Sequence, residues 1–187
     1  ACGQYLGDLS EQRVVFSETV IAKMCSVVTD SNRIKEENLA PIGNGFPKAF
    51  LVEAFNEIMI EEKVPDNFTR GLNQFHTKPE LEPFAITKFL GHNAVHALLG
   101  YLSKERGIVY MHEAGLRDDL IEIVKTAFVE EVGAGLCREF SQVDDPLFTP
   151  TGFKDYAEDA VFRMINPFLR DPVDRVTRDP VRKLGWE

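Results

Sequence analysis

The chain has 187 residues, and its 21 basic and 30 acidic side chains give a formal net charge of −9. This acidic balance argues against a surface that binds nucleic acid or another polyanion. A hydrophobic content of 44% with 27% charged residues is typical of a folded chain and excludes intrinsic disorder.

The sequence carries none of the signals that direct a chain to a membrane or out of the cell. It has no apolar run near the roughly 18 residues of a membrane helix, and no basic-then-apolar start of a signal peptide. Its cysteines, Cys2, Cys25 and Cys137, are too scattered for a zinc cage or a disulfide framework. We therefore expect a cytoplasmic protein with no membrane partner. Because the chain starts at Ala1 without a methionine, we expect residues 1–187 to be one domain of a longer protein.

The N-terminal third alternates short apolar runs with turn-forming residues. An apolar run at residues 14–16 is predicted to be extended, and Ser17 to cap a helix over residues 19–29. Residues 49–52 fit a strand or a helix, because so short an apolar run has no decisive period. The proline-rich stretch that follows is predicted as loop, with room for a short strand at residues 72–75.

Three long helices are predicted in the remainder, over residues 84–104, 116–140 and 153–165. The first lies between Pro83 and Gly107, because proline is common at the start of a helix and glycine just past its end. We find no internal repeat and no linker that would divide the chain. The predicted fold class is therefore mainly α, a single multi-helical domain with room for a short pair of β-strands.

The second and third helices each contain residues that are expected to form the core. Apolar residues recur every three or four positions in the second helix, as in an amphipathic helix. These residues are Leu120, Ile121, Val124, Phe128 and Val132. In the third helix, Phe162 and Ile165 are expected to pack.

The first helix carries four polar residues on one side. On an ideal helix that turns 100° per residue, they fall within about 140° of each other. They are Lys88, His92, Asn93 and His96. Apolar residues occupy the rest of the circumference, so this polar side is expected to be buried or to line a cleft. Burial would lower the pKa of Lys88 and make it a general base, beside hydrogen-bond donors on Asn93 and His96. The alternatives are a lysine that reaches the surface and polar groups that only pack.

Three further patterns bear on cofactors and ligands. His92 and His96 have the spacing of metal ligands, with Glu113 as a third, but the glutamate of His-Glu-x-x-His is missing and we expect no metal. The glycine pairs lack the third glycine of a dinucleotide-binding motif, so no Rossmann half is predicted within this chain.

The basic tail could bind an anionic or polyhydroxy substrate, or only form a solvated face. Its residues are Arg170, Arg175, Arg178, Arg182 and Lys183.

Two motifs carry a resemblance to a known family. Lys88, Asn93 and His96, followed by a Leu-Gly pair, resemble the catalytic helix of the polyol-specific long-chain dehydrogenases. The tail from Asn166 to Leu184 is similar to the same family, most of all to the branch that acts on mannitol 1-phosphate. The resemblance covers most of the chain.

The resemblance implies the mainly helical C-terminal substrate domain of an NAD-dependent, metal-independent secondary alcohol dehydrogenase. A Rossmann domain that binds most of the NAD would lie upstream, and this part alone is expected to be inactive. Lys88 would be the general base, and Asn93 and His96 would hold and polarise the substrate oxygen. The residues expected to contact the substrate are Arg175, Lys183, Arg178 and His92. The reaction implied interconverts a polyol phosphate and a ketose phosphate, of the type mannitol 1-phosphate to fructose 6-phosphate.

The sequence departs from the family at two places, and these leave other functions open. Ala22 and Lys23 replace an Asp-Arg pair, and Ala85 stands where part of the family has a glutamate that helps to move the proton. The alternatives are a mannitol 2-dehydrogenase or hexuronate reductase of the same family, and a helical binding domain that has lost catalysis. A metal hydrolase is a third alternative.

Overall fold

The computed structural model describes residues 16–43, 45–55, 57–62 and 73–181. Short strands come first and helices follow. The elements of the first part are β1 (Thr19–Ile21), β2 (Cys25–Val28), α1 (Ser31–Glu36), β3 (Pro41–Gly43), β4 (Phe46–Val52), β5 (Ile58–Glu61) and β6 (Phe75–Lys78). The helices of the second part are α2 (Glu82–Ile86), α3 (Ala94–Glu105), α4 (Asp118–Thr126), α5 (Ala134–Glu139), α6 (Pro150–Met164) and α7 (Val173–Val176).

The strands form two three-stranded sheets. One has the order β1-β5-β6, in which β5 runs antiparallel to β1 and parallel to β6. The other has the order β2-β4-β3 and is antiparallel throughout. The helix predicted over residues 19–29 is therefore wrong. The β-branched residues of this stretch favour extended backbone, and they find partners in β4 and β5 that lie far along the chain.

The other predictions for the strand region fare differently. Residues 49–52 belong to a strand, β4. The short strand expected at residues 72–75 occurs slightly later, at Phe75–Lys78. The extended piece at residues 14–16 lies almost entirely outside the described residues. In the described part of the chain, two small sheets thus replace the single strand pair that the sequence suggested, while the fold stays mainly α.

Two of the three predicted helices contain π-helical turns. The first composite helix consists of α2, a π-helical segment (Thr87–Asn93) and α3, and the second consists of α4, a π-helical segment (Ala127–Gly133) and α5. Their ends agree with the predictions to within a few residues. The third predicted helix, α6, begins three residues early, because the Thr149 hydroxyl caps it by accepting the Gly152 N–H at 3.1 Å.

The core lies among the helices, with α6 packed against both π-helical segments. Leu120, Val124 and Phe128 are fully buried, as predicted. Phe162 was expected to pack but is 74% exposed, because the neighbouring Val161 occupies the core side of α6. Among the described residues, no helix combines the length and apolar character needed to cross a membrane.

Candidate active site

A cavity of about 260 Å³ lies between three parts of the chain. The first composite helix contributes Lys88, His92, Asn93 and His96. The strand-side wall, residues 21–25, runs from the end of β1 to the start of β2. The third wall contains Leu169, Asp171 and Arg175. The four polar residues that the sequence placed on one side of a helix therefore surround a single cavity, together with one basic residue of the tail.

The first π-helical segment determines how Lys88 and Asn93 are placed. An α-helix would separate these two residues by about 140° around its axis. In a π-helix, backbone hydrogen bonds join residues five apart instead of four, so Asn93 comes next to Lys88 on the same wall. Such segments are rare and occur often at functional sites.

Lys88 is half-buried, and this burial lowers the pKa of its ammonium group below the ordinary value. The direction agrees with the expectation from the sequence. A lower pKa increases the fraction of neutral amine near pH 7, which is the form that accepts a proton.

His92 is the most buried polar residue of the cavity wall, at 4% exposure. Burial, reinforced by the positive charges of His96 and Arg163, lowers the pKa of His92 to about 4, although Glu53 opposes the change. Its Nδ1 is buried and has no hydrogen-bond partner among the residues that the structure describes. A neutral imidazole with an unused nitrogen offers a hydrogen bond to a bound hydroxyl.

Asp171 connects the third wall to the helix. It accepts two N–H groups of Arg175, and this pairing raises the pKa of the arginine. His96 Nε2 lies 3.5 Å from Asp171 Oδ2. The sequence analysis missed Asp171, although its spacing of four residues from Arg175 is a signal for an ion pair on a helical turn.

A glycine brings the third wall close to the first composite helix. A Cβ atom at Gly100 would lie 2.7 Å from Cγ1 of Val176, so a larger residue would push α7 away from α3. The Leu-Gly pair after the Lys-Asn-His motif therefore has a structural reason.

Not every predicted residue reaches this cavity. Arg178 is exposed and does not belong to the described wall, and Lys183 and Arg182 lie outside the described residues. Glu113 accepts the backbone N–H groups of Val109 and Tyr110, so it is occupied away from the histidines. Within the described ranges, no three metal-binding side chains cluster.

Comparison with known proteins gives one family and several relatives. The family described as mannitol dehydrogenase C-terminal domain matches residues 80–187, more than half of the chain. A mannitol-1-phosphate 5-dehydrogenase of Caldanaerobacter subterraneus subsp. tengcongensis is 32% identical over 78% of this chain and 36% of its own length. One of Lactococcus lactis subsp. cremoris is 28% identical over 95% of this chain and 47% of its own length. The chain thus spans less than half of the relatives that it matches.

Solved structures show the same fold. Pseudomonas fluorescens mannitol 2-dehydrogenase, in a ternary complex with NAD and D-mannitol, has a TM-score of 0.62 and 19% identity. It matches over 86% of this chain and 31% of that chain. A substrate-free D-sorbitol dehydrogenase has a TM-score of 0.68 and 16% identity, over 92% of this chain and 34% of that chain.

Proposed function

Because the chain belongs to the mannitol dehydrogenase C-terminal domain family, we propose that it is the substrate-binding and catalytic domain of an NAD-dependent polyol-phosphate dehydrogenase. The reaction is the interconversion of mannitol 1-phosphate and fructose 6-phosphate, or of a similar pair. The observation that carries the proposal is the meeting of Lys88, Asn93 and His96 at one cavity. The names of the curated relatives support the phosphorylated substrate.

Each polar residue of the helix wall has a role in the proposed reaction. The neutral amine of Lys88 accepts the proton of the substrate hydroxyl while the hydride leaves the carbon that bears it. Asn93 and His96 hold the same oxygen and stabilise the negative charge that develops on it. The product is a carbonyl group, with the proton on Lys88 Nζ. NAD, when bound, supplies the nicotinamide ring that takes the hydride.

The described residues fit the substrate side of this reaction. The cavity volume of about 260 Å³ is close to the lower limit of about 300 Å³ for small-molecule sites. Both polar and apolar groups line the cavity. The buried Nδ1 of His92 is matched by a polyol hydroxyl, which both donates and accepts hydrogen bonds. We assign most of the NAD-binding residues to a Rossmann domain outside this chain.

The second sheet offers a surface for that Rossmann domain. Val27 pairs with Phe50, and Cys25 with Val52, so these four side chains lie on the same face of the sheet. Val27, Phe50 and Val52 are each about half exposed. Cys25 also lines the cavity, so a domain that covers this face would stand next to the site of hydride transfer. The matched relatives are more than twice as long as the part that they share with this chain, which leaves length for such a domain.

One observation favours a substrate without phosphate as the second candidate. The basic residues of the described cavity wall are Lys23, Lys88, His92, His96 and Arg175. Arg175 already binds Asp171, and Lys23 donates to the carbonyl oxygen of Phe55. A phosphate would compete with these partners, whereas the hydroxyls of mannitol need no free cation.

The absorbance of reduced nicotinamide tests the proposed function. The complete gene product is mixed with saturating NAD and with mannitol 1-phosphate, mannitol or a hexuronate-derived polyol acid. Reduction with the phosphate ester alone is expected, and reduction with mannitol or the polyol acid alone would select the second candidate. A folded protein that binds NAD and oxidises none of them would contradict both, and would favour a domain that has lost catalysis. We expect the 187-residue chain by itself to be inactive.

The Lys88→Ala substitution tests the general base. In the complete gene product we expect turnover to fall by about 10²–10⁴-fold, because the variant lacks the amine that accepts the hydroxyl proton. The matched control is Lys125→Ala, which removes an exposed lysine of α4 and should leave turnover unchanged. Circular dichroism checks that both variants are folded. Unchanged turnover in Lys88→Ala would reject this residue as the base.

A further inference from the structure

Outside the cavity, a buried ion pair joins the strand region to the helices. Glu53, which follows β4, and Arg163 on α6 have side chains that are 3% and 7% exposed. The guanidinium donates to both carboxylate oxygens, with Nε 2.9 Å from Oε2. Burial alone would raise the pKa of Glu53, but the hydrogen bonds from Arg163 and from the Met24 N–H hold this pKa below its ordinary value.

The same two side chains hold the backbone of the strand-side wall. Arg163 Nη2 donates to the carbonyl oxygen of Ala22, and the Met24 N–H donates to Glu53 Oε1. The guanidinium also lies 3.7 Å from the ring centroid of Phe55. Residues 22–24 are therefore attached through the ion pair to α6, whose neighbouring residues Ala160, Val161 and Met164 are core residues.

These contacts matter for the cavity because residues 21–25 form its strand-side wall, while Glu53 and Arg163 are not among its lining residues. A buried ion pair contributes little net stability, since desolvation offsets much of the attraction. Its effect is geometric, because the guanidinium of Arg163 holds the carbonyl of Ala22 and the carboxylate of Glu53 holds the N–H of Met24. We propose that Glu53 and Arg163 are positioning residues, which hold the strand-side wall in place for the substrate. This inference rests on the proposed function, since it assumes that the cavity binds a polyol.

The test removes the pair as a unit. Glu53→Leu with Arg163→Met replaces both charges by apolar groups, a change that leaves the fold intact more often than removing one partner. We expect hydrogen exchange in residues 20–25 to become about tenfold faster or more, while residues 95–102 of α3 keep the wild-type rate. In the complete gene product, KM for the polyol should rise about tenfold while kcat stays within about threefold, because the wall touches parts of the substrate that do not react.

A conservative variant and a matched control sharpen the result. Arg163→Lys keeps the charge but lacks the fork that reaches Glu53 and Ala22 together, so KM should stay raised. The control changes the exposed pair on the same helix, Lys154→Gln with Glu158→Gln, and should leave exchange and KM unchanged. An Arg163→Lys variant with wild-type KM and exchange would show that charge alone suffices, and would overturn the proposal.

Four other outcomes also decide the question. Unchanged exchange in residues 20–25 of the double variant would overturn the proposal, as would faster exchange with an unchanged KM. Equal acceleration in residues 95–102 would indicate a general loss of stability, and would overturn a specific role as well. A wild-type protein that turns over no polyol would instead refute the proposed function, and the exchange data would still show whether the pair holds the wall.

Discussion

At the scale of single residues, burial lowers the pKa of two basic groups of the cavity wall, Lys88 and His92. The charge of Lys88 lowers the pKa of His92 further. The acid partner in this part of the described chain, Asp171, is committed to Arg175. A lowered pKa at Lys88 agrees in direction with the general-base role proposed for it.

The buried His92 predicts an acid-sensitive stability. Its pKa is about 4 in the folded chain and 6.5 in the reference state, so the unfolded chain binds more protons between these values. The contribution of the buried, neutral His92 to folding stability is complete above pH 6.5 and is lost as the pH falls towards 4. The difference between these two pKa values corresponds to about 3 kcal/mol in the free energy of unfolding. Between pH 7 and pH 4, urea unfolding should therefore show the wild type losing about 3 kcal/mol more than His92→Gln.

The control for this measurement is His76→Gln, which removes an exposed histidine from β6. If His92→Gln and the wild type lost the same free energy of unfolding on acidification, the burial of a neutral imidazole at this position would be contradicted.

The residues that line or support the cavity differ in how far apart their partners lie in the sequence. Lys88, Asn93 and His96 belong to one helix, so their spacing alone predicted that they would meet, and their catalytic roles stay predictions. Glu53 and Arg163 were missed because 110 residues separate them. A single glutamate and a single arginine form no sequence pattern that predicts a buried ion pair.

At the scale of elements, the two π-helical segments lie against an aromatic cluster of Phe128, Phe153 and Tyr156, with ring centroids 5.7–5.8 Å apart. A Cβ atom at Gly91 would lie 2.8 Å from Phe128, and one at Gly133 would lie 2.6 Å from Phe153. Pro83 and Gly107 predicted the first composite helix and its ends, and the apolar period predicted the second. Neither signal could predict the π-helical turns, which lie where the two composite helices and α6 pack together.

The Gly133→Ala substitution tests this close approach. The added methyl group would overlap the ring of Phe153, so we expect the free energy of unfolding to fall by about 1–3 kcal/mol. Gly135→Ala is the matched control, since a Cβ there meets nothing within 4 Å in the described structure. That variant should gain roughly 0.5–1 kcal/mol, because alanine is the better helix former. Equal effects of the two substitutions in a denaturant titration would contradict the packing described.

At the scale of the whole molecule, the sequence predicted the helical part better than the strand part. Proline and glycine mark the helix ends locally, whereas β1 and β2 take their partners from β5 and β4 across long stretches of chain. Residues 19–29, predicted as a helix, therefore contain two strands, β1 and β2, in the folded chain. The exposed face of the second sheet could not be foreseen without this pairing.

The proposed Rossmann domain gives a prediction at the same scale. Phe50→Glu places a charge on the exposed face of the second sheet and should weaken the packing of that domain. In the complete gene product we expect NAD-dependent turnover to fall about tenfold or more, with the helical content preserved. Leu116→Glu, at an 85% exposed position, is the control and should have no effect. Wild-type turnover in Phe50→Glu would show that the Rossmann domain lies elsewhere.

The cavity has a consequence for the order in which the molecule folds. Its walls come from residues 21–25, from the first composite helix and from residues 169–175, so the two outer walls are joined only by contacts across most of the described chain. Local helical contacts form early, whereas contacts between distant segments carry the larger cost of loop closure. We therefore expect the burial that lowers the pKa of Lys88 to be gained late in folding, after these distant segments have met. A partly folded chain in which only the helix has formed would then hold Lys88 with a pKa closer to its ordinary value.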